Sequence, residues 1–284
     1  MLPLSRMSLD RGSRRDVADA LATLVLSAAA AAAGLAVTGL YRDNAAMIRQ
    51  AQSSDVATLV AAVPMLAAGL WWSRKGAAAG QVVVLGALGF LAYSYAIFAF
   101  SVVIGPATPA HIAIVGLAAW SLGLKAVRLE ASPLDNPPGT RLPRRTTAVF
   151  LLVVVVLFGV SWLGQILGAI TSGHLPPAVA DLNLPTNPIF TLDLAFALPV
   201  LTLGGIRLIR GDPRGRAMAV ALLVFSVLMG LEVLVIFLLS VQAGVPVDAS
   251  ITVVFAVVVL IGVALLARGL MPPGRGHPSV ARQR

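Results

Sequence analysis

The chain repeats part of itself. When the 284-residue sequence is moved by 135 positions, a stretch of its first half aligns with a stretch of its second half without a gap. The matching pairs are Pro64 and Pro199, Gly69 and Gly204, Lys75 and Arg210, Gly76 and Gly211, Gly80 and Gly215, and Phe90 and Phe225. Both copies have the pattern of an apolar helix, a short basic turn and a second apolar helix. Such a repeat in a membrane chain predicts two similar bundles with a binding site near their interface.

The composition is that of an integral membrane protein. Hydrophobic residues make up 58% of the chain and charged residues only 12%, whereas a soluble domain carries about 25% charged residues. The chain has no cysteine, which excludes disulfides, thiolate metal sites and thiol redox chemistry. The net charge of +9 would normally suggest nucleic acid. Because the basic residues lie at predicted helix ends on one side, we predict no nucleic-acid partner.

Eight segments are long and apolar enough to form spanning helices, which need about 20 mainly apolar residues. They cover residues 17–40, 55–73, 79–104, 109–128, 147–170, 188–209, 216–241 and 249–268. The first is too long for a cleaved signal peptide, so we expect it to remain as a span. Pro64 and Pro199 lie inside the second and sixth segments, where each frees a backbone carbonyl and favours a bend.

The distribution of Lys and Arg predicts the orientation. Nineteen of the 21 Lys and Arg residues fall on one side of the predicted spans, and only Arg42 and Arg49 fall on the other. The positive-inside rule then places both termini in the cytoplasm of a bacterial inner (cell) membrane protein. With four spans each, both halves enter the membrane the same way up. We therefore predict an all-α membrane protein of two parallel four-helix repeats, related by a pseudo-two-fold axis along the membrane normal.

The same pattern predicts five regions. They are a cytoplasmic N-terminal segment (1–16), the first four-helix repeat (17–128), a proline-rich cytoplasmic linker (129–146), the second four-helix repeat (147–268) and a disordered basic cytoplasmic tail (269–284). Proline favours an extended linker, and the basic tail is expected to contact anionic lipid headgroups. Membrane lipids are thus predicted partners, and the sequence leaves the oligomeric state open.

Two acids stand inside predicted spans, Asp193 and Glu232. Ionisable groups within a membrane are costly and mark functional sites. A rise of about 1.5 Å per residue places both in the outer third of the membrane. Other polar or amphipathic side chains fall at the same depth, and we predict that they bind together with the acids: Tyr93, Tyr95, Trp162 and Gln165. The result would be an acidic pocket that faces outward and takes a small molecule or a cation.

Each of these residues also has a structural interpretation. The tyrosines and the tryptophan are typical of the aromatic belt at a membrane surface, and Gln165 is able to hydrogen-bond a neighbouring helix. The acids are able to sit neutral, bonded to carbonyls freed by Pro199 or to tyrosine hydroxyls. Asp55 and His111 share the depth but lie near enough to the interface to be solvated. Known catalytic motifs are absent, and no metal-ligand spacing is diagnostic, so we predict no catalytic residue, metal or cofactor.

Three segments carry a resemblance to other proteins. They are the Asn-Pro-Ile-Phe-Thr-Leu-Asp run that continues to Pro199, the stretch 52–64, and Tyr93-Ser94-Tyr95. Together they resemble a group of uncharacterised bacterial multi-pass membrane proteins with an N-P-x-aromatic-x-L-D-L helix start and a tyrosine-rich third span. The resemblance covers about a third of the chain and implies about eight spans, but it brings no activity.

Two classes of function fit these observations, and a third is weaker. The chain is interpreted first as a transporter or permease-like protein for a small molecule or cation. The alternative is a membrane protein that does not transport and instead binds a lipid or a partner protein at the outer leaflet, as a sensor, assembly factor or subunit. The third is an enzyme that acts on a lipid with paired carboxylates. Polar residues at mid-depth on the cytoplasmic side would favour transport, whereas a closed inner half with a lateral opening would favour binding.

Overall fold

The structure, a computed structural model, describes residues 4–131 and 138–271. It is 83% helical, with no strand among the described residues. Eight helices in this part of the chain are long and apolar enough to cross a membrane. These spans are Val17–Ala36, Ala45–Arg74, Ala78–Ser101, Thr108–Glu130, Arg144–Ser172, Pro188–Arg210, Pro213–Gln242 and Ala249–Leu270. The prediction of an all-helical chain with eight spans is confirmed.

Spans two and six are each interrupted by a π-helical segment. The elements in chain order are α1 (Leu4–Ala36), α2 (Ala45–Ala57), the first π segment (Thr58–Ala62), α3 (Val63–Arg74), α4 (Ala78–Ser101), α5 (Thr108–Ala131), α6 (Arg144–Ser172), α7 (Pro177–Ala180), α8 (Pro188–Leu192), the second π segment (Asp193–Ala197), α9 (Leu198–Arg210), α10 (Pro213–Gln242) and α11 (Ala249–Leu270). Residues 1–3 of the predicted N-terminal segment, 132–137 of the predicted linker and 272–284 of the predicted tail lie outside the described residues.

The bundle has two ends, which we name by their connections. The outer end contains the connections 37–44, 102–107, 173–187 and 243–248, and the basic end contains 75–77, 138–143 and 211–212. These names follow the orientation predicted from the Lys and Arg residues. At the outer end, the Asn44 side-chain amide donates a hydrogen bond of 3.1 Å to the Asp181 carbonyl, so connections from the two halves of the chain touch there.

The second span begins earlier than the sequence predicts. The sequence predicts this span over 55–73, the shortest of the eight segments. In the structure it runs over Ala45–Arg74 and has 30 residues. The Asn44 side chain caps its first turn by accepting from the Met47 amide at 2.9 Å, a standard device for starting a helix. The hydropathy pattern does not indicate the first half of this span, because that half is polar. Packing stabilises it instead, because Ser53 and Asp55 are buried among neighbouring helices.

Both π segments lie just before a proline. The amide of Val63, which precedes Pro64, donates to the Thr58 carbonyl five residues back. The amide of Leu198, which precedes Pro199, donates to the Asp193 carbonyl in the same way. A proline has no amide hydrogen, and its ring crowds the carbonyl four residues earlier. The wider π turn accommodates both effects, and such turns are frequent at functional sites.

Helix α4 is the centre of the bundle. In its most apolar stretch 78% of the residues are buried inside the protein, compared with 17–39% in the other spans. It packs against α3, α5 and α10. Its contact with α10 is close because Gly86 has no side chain: a Cβ at that position would lie 2.5 Å from the Cβ of Val224. A small residue in the crossing is what lets two helix backbones approach in a membrane.

The basic end is held by charged side chains. The Arg207 guanidinium donates two hydrogen bonds, of 3.0 and 2.9 Å, to the two carboxylate oxygens of Glu130. This bidentate pair joins the end of α5 to α9 and therefore joins the two halves of the chain. Between this pair and the acids nearer the outer end, the interior is filled by fully buried apolar side chains such as Leu66, Leu88 and Leu223.

Candidate functional site

A small cavity of about 60 Å³ lies between α2, α4 and α10. We call it the Glu232 cavity. Its polar lining consists of Gln50, Ser54, Ser94, Ser101 and Glu232. The rest of the lining is apolar and includes Met47, Phe98, Met229, Val233 and Ile236. This volume is below the range of drug-sized ligand sites, about 300–1,000 Å³, and corresponds to about two water molecules at about 30 Å³ each.

Glu232 is the one acid of the cavity lining. On α10, residues 229, 232, 233 and 236 share one helix face because they are three or four residues apart, and all four line the cavity. The Glu232 side chain is only 5% exposed. Its Oε1 accepts a hydrogen bond of 2.9 Å from the Ser94 hydroxyl, and the Ser54 hydroxyl interacts with the same carboxyl group. Two serines from the first half of the chain thus position an acid from the second half.

Ser101 gives the cavity an unpaired polar group. It is 8% exposed and lines the cavity, yet its hydroxyl has no hydrogen-bond partner within the described part of the chain. Ser101 stands seven residues after Ser94 on α4, which is two helical turns and about 10 Å nearer the outer end. Buried polar groups are nearly always paired, but the Ser101 oxygen is itself buried and six other side-chain oxygens of the described residues are also unpaired. The missing bond therefore does not by itself mark a ligand position.

Asp193 belongs to a separate cluster beside the cavity. It opens the second π segment and is half-buried. One carboxyl oxygen accepts from the Tyr93 hydroxyl at 2.8 Å, and the other accepts from the Trp162 indole nitrogen at 2.6 Å. Both oxygens therefore have a donor. Asp193 does not line the cavity. The two predicted acids, Asp193 and Glu232, therefore do not line a common cavity.

Two further predicted residues, Tyr95 and Gln165, belong neither to the cavity lining nor to the cluster around Asp193. Tyr95 points away from the cavity, where its hydroxyl donates to the Ser27 carbonyl of α1 at 3.0 Å. Its ring packs against Phe98 and His111, with centroids 5.4 and 5.7 Å away. Gln165 is half-buried on α6, outside the cavity lining. The structure thus brings Tyr93, Trp162 and Asp193 together and places Glu232, Tyr95 and Gln165 elsewhere.

Several of these side chains are neither solvated at the interface nor part of an aromatic belt at the membrane surface. Tyr95, Asp55 and His111 are all buried inside the bundle, not near its surface. His111 stacks among aromatic rings, with its ring centroid 5.0 Å from that of Phe98. This burial was not predictable, because the depth of a residue along a helix does not reveal which way its side chain faces.

A third carboxyl group, that of Asp55, lies inside the bundle, although the sequence predicted it to be near the interface and solvated. It is 1% exposed and its Oδ2 accepts a hydrogen bond of 2.7 Å from the Tyr41 hydroxyl. Burial, and then the charge of Asp55, raise the pKa of Tyr41 well above its ordinary value, so the hydroxyl remains a donor. Gly34 of α1 gives the pair its space, because a Cβ there would collide with the Asp55 carboxyl and lie 2.7 Å from the Tyr41 oxygen. Asp55 also interacts electrostatically with Glu232.

These contacts define what the site is able to do. Glu232 is the one ionisable side chain among the lining residues of the cavity, and no Lys, Arg or His stands beside it there. Within the described residues, no group of three or more His, Cys, Asp or Glu side chains could hold a metal ion. The site is suited to reversible binding through one carboxyl group, several hydroxyls and apolar walls.

Comparison of the chain with protein-family models, with curated proteins and with solved structures finds no match.

Proposed function

We propose that the protein is a transporter or permease-like membrane protein that binds a small molecule or cation in the Glu232 cavity from the outer side. The observation that carries the proposal is a buried carboxyl group, that of Glu232, in the lining of a cavity that has no basic lining residue. A carboxyl group inside a membrane protein typically marks an ion or substrate pathway. In this interpretation Glu232 binds the substrate, and the Tyr93–Asp193–Trp162 cluster positions the neighbouring helices.

The cavity lies where two repeats would meet. Ser54 and Ser94 come from the first half of the chain and Glu232 from the second, and Asp193 likewise joins Tyr93 of the first half. Secondary transporters built from repeats bind their substrates at the repeat interface, beside interrupted helices. The two π segments leave spans two and six continuous, but they interrupt the regular α-helical hydrogen bonding and supply positions at which these spans are able to bend.

Several features of the fold support the two-repeat architecture. The π segments Thr58–Ala62 and Asp193–Ala197 are 135 residues apart, the same offset as in the sequence. Gly76 and Gly211, also 135 apart, both turn the chain with φ near +80° (+78° and +81°). A residue on a two-fold axis contacts its own equivalent, and a Cβ on Gly86 would meet the carbonyl of Ala221, which is 135 residues later. This contact suits a parallel arrangement in which α4 and α10 cross at equal depth along the membrane normal.

The proposal includes the predicted orientation, with both termini in the cytoplasm of a bacterial inner membrane. It rests on the positive-inside rule, because 19 of the 21 Lys and Arg residues lie on the basic side of the spans. In that orientation the Glu232 cavity lies toward the outside, because α2 begins and α4 ends at the outer end.

The packing of the basic half favours a second candidate. Leu66, Leu88 and Leu223 are completely buried there, and Arg207 and Glu130 close the basic end. Toward the basic end, the lining of the cavity stops at Ser54, Ser94 and Met229. A protein that binds a lipid or partner at the outer leaflet without transport needs no route beyond that point.

One experiment separates these candidates. The purified protein is screened for thermal stabilisation by inorganic cations, organic cations and lipids, with Glu232→Gln beside the wild type and Asp193→Asn as the control that removes an acid outside the cavity. We expect stabilisation that Glu232→Gln loses and Asp193→Asn keeps. Each stabilising compound is then tested for counterflow in proteoliposomes. Counterflow supports transport, and binding without counterflow supports the second candidate. Equal stabilisation of all three proteins would contradict a site at Glu232.

A further inference from the structure

The Glu232 cavity extends from the outer end of the bundle to a carboxyl group. On α4 its lining runs from Ser94 to Val102, which belongs to the outer connection 102–107. On α2 the lining runs from Ser54 back to Met47, in the first turn of the helix. A volume of about 60 Å³ corresponds to about two water molecules. The space is therefore suited to water and to species no larger than water, among them a proton that water carries.

Glu232 is buried without a cationic partner. It is 5% exposed, and none of the ion pairs in the described part of the chain includes it. Besides Asp55, the charged residues on α10 and on the elements that pack against it are Arg49, Arg207, Arg210, Arg214, Arg216 and Arg268. Arg49 lies outside the cavity lining, and the other arginines lie toward the basic end. An ionised carboxylate is costly to bury alone, and taking up a proton avoids that cost.

The ionisable groups that face Glu232 also disfavour a negative charge there. Asp55 of α2 and Tyr93 and Tyr95 of α4 interact electrostatically with Glu232. Each of these three side chains is neutral or negative in every protonation state. A like charge nearby disfavours the charged form of a carboxyl group. The surroundings of Glu232 therefore favour a bound proton.

The hydroxyl groups at Glu232 suit both of its protonation states. Ser94 donates to Oε1 at 2.9 Å, and the Ser54 hydroxyl interacts with the same carboxyl group. A serine hydroxyl both donates and accepts, whereas Lys and Arg only donate. Serines are therefore able to accept from the O–H of a neutral acid and to donate to a carboxylate, while a Lys or Arg in their place would hold the acid ionised.

We propose that Glu232 is a proton-binding site that exchanges its proton with the outer side of the membrane through water molecules in the cavity. The inference rests on the proposed function and deepens it, because it makes the proton the cation that the site takes. Hydronium gives a proton to the carboxylate and leaves water; in the reverse step water takes the proton back. A metal ion fits less well, because no group of three or more His, Cys, Asp or Glu side chains among the described residues could hold one.

Infrared spectroscopy of the full chain in nanodiscs tests the site. The carbonyl stretch of a protonated carboxyl group is separate from the carboxylate bands and is followed as the pH is raised. We expect a component that persists above the pH range in which exposed carboxyl groups titrate, then disappears, and that Glu232→Gln lacks. Ser94→Ala should keep this component and shift it to higher frequency, because the Oε1 carbonyl loses a hydrogen bond. Asp193→Asn, which removes an acid outside the cavity, is the control and should leave the component unchanged.

Hydrogen–deuterium exchange of the same band tests the route. Ser101→Leu places an apolar side chain in the outer part of the cavity lining and should slow the exchange of the Glu232 proton in D₂O several-fold. Thr171→Leu adds the same apolar side chain at an exposed position at the end of α6, outside the cavity, and should leave the exchange rate unchanged.

Other outcomes overturn the inference in distinguishable ways. A component that Glu232→Gln retains belongs to another acid, and a Glu232 component that neither titrates nor exchanges belongs to a permanently neutral acid; both overturn the proton site. Unchanged exchange in Ser101→Leu overturns the route through the cavity. Stabilisation by an inorganic or organic cation that requires Glu232 would still support the proposed function in each of these cases. If Glu232→Gln does not fold, the frequency shift in Ser94→Ala decides.

Discussion

Gly34→Ala is the sharpest test of the packing around the buried acids. An added Cβ at this position of α1 would collide with the Asp55 carboxyl and approach the Tyr41 oxygen to 2.7 Å. The hydrogen bond between Tyr41 and Asp55 spans 2.7 Å and is buried, so the two groups have no room to retreat without separating. The substitution therefore acts on the Asp55 environment from a neighbouring helix, without changing either polar residue.

The expected loss follows from two costs and one gain. Leaving a buried hydrogen-bonding group without its partner costs about 1–3 kcal/mol, and forcing an extra carbon into a packed interior costs about 1–3 kcal/mol. Exchanging glycine for alanine inside a helix stabilises by about 0.5–1 kcal/mol. We expect a net fall of about 2–5 kcal/mol in the free energy of unfolding.

Reversible unfolding in mixed micelles measures this change. Gly116→Ala is the matched control, because Gly116 lies inside helix α5 and a Cβ there would meet nothing within 4 Å; it is expected to leave stability equal or raise it by up to about 1 kcal/mol. In the double variant Gly34→Ala with Asp55→Ala, the collision partner is gone, so the two losses should not add. If Gly34→Ala is as stable as Gly116→Ala, or the losses are simply additive, the close packing of Gly34 against Asp55 is refuted.

Three further substitutions test other contacts. Ser101→Ala removes a buried unpaired hydroxyl, so it is expected to raise the free energy of unfolding by about 1 kcal/mol in the same unfolding assay; a loss of stability would reveal a partner for the hydroxyl. Trp162→Phe deprives Asp193 of a 2.6 Å hydrogen bond and should cost about 1–3 kcal/mol in the same unfolding assay, whereas Trp120→Phe, at a side chain 76% exposed, should stay within about 0.5 kcal/mol. Hydrogen bonds from the first amides of α11 lower the pKa of Asp248, so its capping contribution is present above the ordinary carboxyl pKa and is lost as pH falls through the lowered value. Asp248→Asn, an uncharged cap, should remove that acid dependence from thermal unfolding curves, and an unchanged dependence would locate it in another group.

The sequence predicts the number of spans because hydropathy is strong in this chain. It misplaces the start of span two because α2 carries Arg49, Gln50 and Asp55, a polarity that indicates a loop until the buried side of the helix is known. The prolines indicate bends in spans two and six, but the π turns depend on which carbonyl each neighbouring amide reaches, a choice made by the fold.

The sequence predicts how deep the candidate site residues lie in the membrane, but not the direction in which their side chains point. Asp193 and Glu232 do stand near the outer end, yet only Glu232 faces the cavity. The serines that bind it are small and common, so no pattern distinguishes Ser94 from the other serines of the chain. Asp55 was underestimated because its helix was thought to begin there. Rotation of each helix about its own axis is fixed by packing between helices, which a single sequence does not encode locally.

Three neighbouring residues of α4 each hold a different part of the protein. Tyr93 binds Asp193 of span six, Ser94 binds Glu232 of α10, and Tyr95 binds the Ser27 carbonyl of α1. Successive residues project about 100° apart around a helix, so together these bonds brace α4 on three sides. A twist of α4 in either direction would strain all three bonds at once. Any rearrangement of the bundle that preserves them must move α4 together with the parts that it holds, and the freedom to bend is left to the π segments.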